Sequence, residues 1–307
     1  MAEVYSHSRL ETFERCPRRF FYRYRAKLPA ESESIEAFVG KRVHEVLERL
    51  YRAAERDAVP TLAQVIARYR QLFDEAHDAE RVRIVRQEET VESYRELGEH
   101  CLSNYYYEHY PFDREETLGL EQHLEFSLGE LPSGPVRMQG FVDRVARARD
   151  GTLEIHDYKT SARVPSQNKI DSDGQLALYQ IGLAGVRDAT QGVRLVWHFV
   201  RRGVTRTSTR TFAQLESLRD DLLARVESVR REVEWAAKPS PLCGWCEYRD
   251  GCPASPQRCP ETAPYDSRPR VRVAALAAST TPPSAPSLQA AGDQLSLPLH
   301  PAAQAAR

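Results

Sequence analysis

No run of about 18 consecutive apolar residues occurs in the 307-residue chain, so a transmembrane helix is not expected. The opening residues, MAEVYSHSRLETFERC, include acidic groups and no apolar stretch of the kind a secretory signal needs. The expectation is a cytoplasmic protein with no membrane partner. A surplus of charge is missing too. The 43 Lys and Arg nearly balance 44 Asp and Glu, giving a formal net charge of −1, so bulk charge does not announce a polyanion binder. The G-x-x-x-x-G-K-[ST] phosphate loop is absent, which excludes a built-in motor of that class. No internal repeat is evident, which argues against a solenoid.

What is present is ordinary for a folded domain: 41% hydrophobic and 28% charged residues, long enough for one large core or two modest ones. Charge is concentrated locally. Arg15, Arg18, Arg19, Arg23, Arg25 and Lys27 interleave with Phe20, Phe21, Tyr22 and Tyr24. Such a stretch is either an amphipathic helix with a solvated basic face or a surface that grips phosphates and stacks on bases.

Hydrophobic periodicity predicts helices over 5–27 and 37–57, and two charge-rich helices within 61–109 split near Asp78. The period then changes to two. Segments 117–128, 136–147 and 152–158 read as an antiparallel meander punctuated by Leu131-Pro132-Ser133-Gly134-Pro135 and Asp150-Gly151. A helix over 173–186, a strand pair at 193–200 and 204–211, and a helix over 212–237 follow. From about Glu261 the chain turns to Ala, Pro, Ser and Thr with few apolar anchors, the composition of a disordered tail over 261–307.

The meander carries the chemistry. Gly140-Phe141-Val142-Asp143-Arg144 precedes the Asp150-Gly151 turn, and Ile155-His156-Asp157-Tyr158-Lys159-Thr160 follows it. A hairpin about that turn sets Asp143 roughly opposite Asp157, where two carboxylates can share a divalent cation. Lys159, two residues on, points to the face of Asp157 and can position water and stabilise negative charge at a phosphate. The plain alternative is a surface salt-bridge cluster. His44, one helical turn after Gly40 and beside the apolar stripe of its helix, is a ligand candidate or a packed histidine. Gln175 and Tyr179 share a helix face and can hold a strand or touch phosphate.

Cys243-Gly-Trp-Cys246 and Cys252 form a C-x2-C-x5-C group, and clustered cysteines in a cytosolic chain suggest metal. The fourth ligand is open: Cys259 would complete a local zinc knot, whereas Cys16 would staple the N-terminal helix to the C-terminal end. Cys101 reads as a small buried hydrophobe.

In this order, the segments from Ser8 to Cys16-Pro17, Gly40 to His44, Gly140 to Arg144, Asp157 to Thr160, Gln175 to Tyr179 and the cysteine group resemble the RecB-like branch of the PD-(D/E)XK nucleases. That branch includes AddB-type C-terminal nuclease domains and CRISPR-associated four-cysteine exonucleases. The resemblance implies an α/β, restriction-endonuclease-like mixed sheet flanked by helices over 1–260, with 37–110 as a helical insertion or cap. It implies Mg²⁺ or Mn²⁺ on His44, Asp143, Asp157 and the Tyr158 carbonyl, a catalytic Lys159, and Gln175 with Tyr179 completing the site. Glu121 is expected as an outer partner. It also favours a [4Fe–4S] cluster on Cys16, Cys243, Cys246 and Cys252 over zinc. The implied activity is metal-dependent hydrolysis of DNA, single-stranded or at ends, in repair or recombination, with unwinding left to a helicase partner. The alternative is a non-catalytic DNA-binding scaffold that keeps the fold. In the tail, Gln294, Leu295, Leu297 and Leu299 resemble the short peptide with which DNA-processing enzymes dock on a sliding clamp.

Overall fold

A computed structural model of the protein describes residues 3–184 and 192–254. Cys259 and the segment 294–299 lie outside the described residues.

Alternating burial makes the meander. In the first half of β5 (Gly134–Ala148), Val136 and Met138 are buried between more exposed neighbours, as expected where one face of a strand is covered. This strand organises the sheet. One edge pairs antiparallel with β4 (Glu115–Leu131) along its whole length. The other edge is shared between the short parallel strand β1 (Val4–Tyr5) and antiparallel β6 (Leu153–Tyr158). Next to β6 lies β7 (Val193–Phe199), parallel to it, and antiparallel β8 (Val204–Ser208) forms the edge. The parallel β6–β7 step requires a crossover, supplied by α6 (Gln167–Asp171) and α7 (Gln175–Ala184). The result is the expected α/β class with a mixed sheet.

Helices cover both faces. On one side α3 (Ile35–Ala54), α4 (Leu62–Ala76) and α5 (Val91–His109) form an apolar layer that reaches Tyr158 and Val200 of the sheet. On the other, α7 buries Leu176, Ala177 and Leu178 completely and packs against Ile155, Leu195 and Trp197. A third apolar group gathers Tyr5, Leu10 and Phe20 with Leu128, Met138 and Val226 of α8 (Phe212–Arg231). Side-chain caps begin these helices: Ser34 accepts from Ala37 N–H, and Thr61, Thr90 and Thr211 head capping boxes.

Three expectations are corrected. The N-terminal helix is broken at Cys16 into α1 (His7–Arg15), α2 (Pro17–Phe20) and a π turn over Phe21–Arg25. Cys16 is extended (φ −162°), as the residue before a proline prefers. The last long helix stops at Arg231 rather than 237. The linker between α4 and α5 contains a two-residue strand, β3 (Val82–Arg83), parallel to β2 (Glu33–Ser34). No described helix is long and apolar enough to cross a membrane.

At Gly140 a side chain of α7 lies directly against the β5 backbone. A Cβ there would lie 2.3 Å from Cε1 of the buried Tyr179 ring. Gly140→Ala is expected to overpack this contact and destabilise the protein by about 1–3 kcal/mol, read as a lower urea midpoint at unchanged slope.

Candidate active site

Three elements deliver the site. His44 comes from α3, Glu121 and Asp143 from the β4–β5 hairpin, and Asp157 with Lys159 from the end of β6. The antiparallel register pairs Arg144 with His156, which makes Asp143 and Asp157 neighbours across the ladder. The glycine one turn before His44 has its open side toward Thr160: a Cβ on Gly40 would sit 3.4 Å from Thr160 Oγ1. This lets α3 lie close to the end of β6.

One residue ties these elements together through its backbone. Tyr158 N–H donates to Asp143 Oδ2 at 2.8 Å, and Tyr158 C=O lies 2.8 Å from His44 Nε2. The other imidazole nitrogen, Nδ1, faces Asp143 Oδ1 at 3.4 Å. Behind this frame is a buried polar network. The Tyr158 hydroxyl is 3.4 Å from that of Tyr105, which is 2.6 Å from that of Tyr51. The fully buried Arg144 guanidinium lies 4.2 Å from the Tyr51 ring centroid, 3.3 Å from Glu115 and 3.1 Å from His156 Nε2. His156 Nδ1 in turn meets His198 Nε2 at 2.9 Å. Burial pushes both of these imidazoles well below their ordinary pKa, so they stay neutral around Arg144.

At the front of the site, Lys159 Nζ lies 2.9 Å from Asp157 Oδ1 and 3.0 Å from Gln175 Oε1. Gln175 Nε2 donates to Asp157 Oδ1 at 3.2 Å and lies 3.4 Å from the Tyr179 hydroxyl. Gln175 therefore holds both members of the Asp157–Lys159 pair. Its own position is set by a hydrogen bond from its N–H to Asp173 Oδ1 at 2.9 Å, just before α7.

His44, Glu121 and Asp143 present ligand atoms that all lie within 4.8 Å of one another, the one such grouping of three among the described residues. Glu121 is therefore more central than the outer place expected of it. It sits in the left-handed region (φ 46°) opposite Asp143, which turns its carboxylate into the group. The donor set of carboxylates and one imidazole suits a divalent cation. Asp157 Oδ2 reinforces the fit: it is buried, and although 2.8 Å from Lys159 Nζ it has no aligned hydrogen-bond donor. The Tyr158 carbonyl is engaged by His44, and Lys159, Gln175 and Tyr179 stand on the Asp157 side.

The titration of the ion-free site follows from this crowding. Burial next to Asp143 raises Glu121 to about 7. Burial raises Asp157 to about 6 in spite of Lys159. Burial opposes charge on His44, but the Asp143 carboxylate outweighs it and raises the imidazole to about 9. Lys159 is likewise raised, the Asp157 carboxylate outweighing its burial, so it remains an ammonium.

Cys243, Cys246 and Cys252 of the spaced group, and Cys16, which the resemblance adds to it, line a cavity of about 450 Å³ between the Cys16 corner and the C-terminal turns. Lys238 N–H points at Cys16 Sγ (3.5 Å) and Ser240 N–H at Cys243 Sγ (3.3 Å). Arg18 N–H to Ala236 C=O (3.2 Å), Arg19 to Glu247 (2.7 Å) and Phe20 stacked on Trp235 bind the same two chain regions together. No three of the described cysteine sulfurs lie within 4.8 Å of one another. Cys101 is fully buried in the helical layer.

A family model described as the PD-(D/E)XK nuclease superfamily matches residues 4–253. Among solved structures, the crystal structure of SSO0001 is similar at 14% identity, covering 83% of this chain and 89% of that one with a TM-score of 0.39. A structure from Eubacterium rectale, provisionally described as an exonuclease, is similar at 11% identity, covering 90% of this chain and 94% of that one with a TM-score of 0.44. No curated protein matches the chain in sequence.

Raised carboxyl pKa values mean that the ion-free folded state holds protons which the unfolded chain has already lost. Its stability therefore falls as pH rises through 6 to 7 for Asp157 and Glu121. The raised His44 adds a contribution that is present below the ordinary histidine value and is lost as pH rises through about 9. Both act in one direction, so the Tm in EDTA is expected to drop between pH 5.5 and 8.5. Because cation binding must expel these protons, Mn²⁺ is expected to restore the Tm most strongly at the alkaline end. Calorimetric titration with Mn²⁺ in buffers of different ionisation enthalpy is expected to show about one to two protons released per ion at neutral pH. A pH-independent Mn²⁺ effect would contradict this assignment.

Proposed function

The chain belongs to the PD-(D/E)XK nuclease superfamily, and from that premise we propose a divalent-metal-dependent deoxyribonuclease that hydrolyses single-stranded DNA or DNA ends in repair or recombination. The observation that carries the reading is the meeting of two groups: the His44–Glu121–Asp143 cluster and the Asp157–Lys159 pair clamped by Gln175. His44, Glu121, Asp143 and Asp157 Oδ2 would hold Mg²⁺ or Mn²⁺, with the Tyr158 carbonyl as a further oxygen. When bound, such an ion supplies Lewis-acid stabilisation of the phosphate and a more acidic water.

The remaining work falls to the chain's own side chains. Lys159, held as an ammonium, orients the attacking water and meets the negative charge that builds on the phosphate. Gln175 holds the Asp157–Lys159 ion pair in place, because it bonds each member separately. Tyr179 fixes the Gln175 amide from the next helical turn.

The cysteines extend the proposal. Cys16, Cys243, Cys246 and Cys252 would ligate a [4Fe–4S] cluster with a structural role, closing the N-terminal corner onto the C-terminal turns. Two features support it. The four residues line one cavity, and backbone N–H groups point at two of the sulfurs.

Anaerobic purification followed by iron, sulfide and zinc analysis, then digestion of end-labelled single- and double-stranded DNA with Mg²⁺ or Mn²⁺, tests the reading. Brown protein with divalent-dependent cleavage is expected. Asp157→Ala and Lys159→Ala are each expected to lower the rate by about 10²-fold or more while DNA binding is retained. Wild-type protein that binds DNA and never cleaves it would be a scaffold, and colourless zinc-loaded protein would remove the cluster.

A further inference from the structure

The hairpin that carries Glu121 and Asp143 has a second feature, which phosphodiester hydrolysis does not use. His123 pairs with Phe141 in the β4–β5 register, two residues along the strands from Glu121 and Asp143. Alternation along β5 places Phe141 and Asp143 on one face, where His123 packs on the first and Glu121 approaches the second. Phe141 is 58% exposed, the only large apolar side chain left in solvent on any described strand. Its neighbours on that face, Glu125, Ser127, Arg137 and Gln139, are all polar, as outward positions should be. The His123 ring packs against Phe141 with centroids 4.8 Å apart and planes at 34°, and His123 Nε2 lies 3.4 Å from Gln139 Oε1. The phenyl ring therefore has one side steadied and the other open.

A phenylalanine more than half exposed at mid-strand leaves much of its apolar surface in water. A partner with an exposed π-face would cover it. Two residues of antiparallel strand span about 6.8 Å, on the scale of one nucleotide of an extended strand. A phosphate drawn to a cation held at Asp143 and Glu121 would thus bring the neighbouring base over the Phe141 ring. Bases inside a duplex are stacked on both faces and cannot offer one, whereas an unpaired base can.

From this geometry we propose that Phe141, steadied by His123, is a stacking platform for an unpaired nucleobase next to the scissile phosphate. The platform selects single-stranded or frayed substrate without reading base identity, since every base has a π-face. The inference rests on the nuclease reading above.

The test uses full-length holoprotein and an oligonucleotide with 2-aminopurine at successive positions from its end. In the cleavage-deficient Lys159→Ala background, binding is expected to quench the fluorophore at one position. Adding Phe141→Ala should remove that quench and weaken binding roughly 5- to 150-fold, the range expected for one lost base–aromatic stack. Phe141→Trp should restore both, which a merely structural effect would not. In the otherwise wild-type enzyme, Phe141→Ala should raise KM for single strands with kcat largely kept, and circular dichroism should be unchanged because the side chain is exposed. Cleavage by the wild type together with unchanged quenching and affinity in the Phe141→Ala protein would overturn the platform alone. No cleavage by the wild type would overturn the nuclease reading and the platform with it.

Discussion

The site depends on the backbone of Tyr158. Its N–H holds the Asp143 carboxylate, its carbonyl engages His44, and its ring is anchored among Tyr105, Tyr51 and Arg144. One residue thereby fixes the spacing of α3, β5 and β6, which supply most of the chemistry. Backbone groups are good for this purpose because they cannot change rotamer. The network behind Tyr158 removes the remaining freedom, since its hydroxyl partners are buried and satisfied by one another. A fully buried guanidinium is costly to desolvate even with Glu115 as its counter-ion, so its place there argues that positioning of the site outweighs that cost.

In front of Tyr158 the balance of charge is the reverse. Glu121, Asp143 and Asp157 converge with no aligned cation for all their oxygens, and the protons drawn onto Glu121, Asp157 and His44 reflect that crowding. Lys159 is committed to Asp157 and Gln175, which leaves the His44–Glu121–Asp143 side as the place where added positive charge does most good. Electrostatics and geometry thus lead to the same spot. The exposed Phe141 lies two residues along the strand from Asp143, so the hairpin sets phosphate chemistry and the proposed base contact on one scaffold.

Much of this was legible in the residues themselves. The change of period to two and the Asp150-Gly151 turn set the β5–β6 register, and with it the approach of Asp143, Asp157 and Lys159. Gly40 before His44 marked the close approach of α3. Other features had no local signal. Nothing in the sequence reveals that Glu121 adopts a left-handed conformation opposite Asp143, so its part in the group emerges only in three dimensions. The parallel β6–β7 pairing is likewise a long-range choice. The break at Cys16 was written in the following proline, but the strong aromatic and basic periodicity on both sides concealed it. Arg144 and Phe141 read as ordinary strand residues because burial of one and exposure of the other are tertiary facts.

The central claim is that a cation held by His44, Glu121 and the two aspartates contacts the phosphate being cleaved. Single phosphorothioate substitution at a mapped cleavage site tests it most directly. Replacing the non-bridging oxygen that meets the ion is expected to slow Mg²⁺-dependent cleavage at that linkage, and the more thiophilic Mn²⁺ is expected to restore it. Equal slowing of both phosphorothioate diastereomers with either ion, or no effect of sulfur with any ion, would contradict the account.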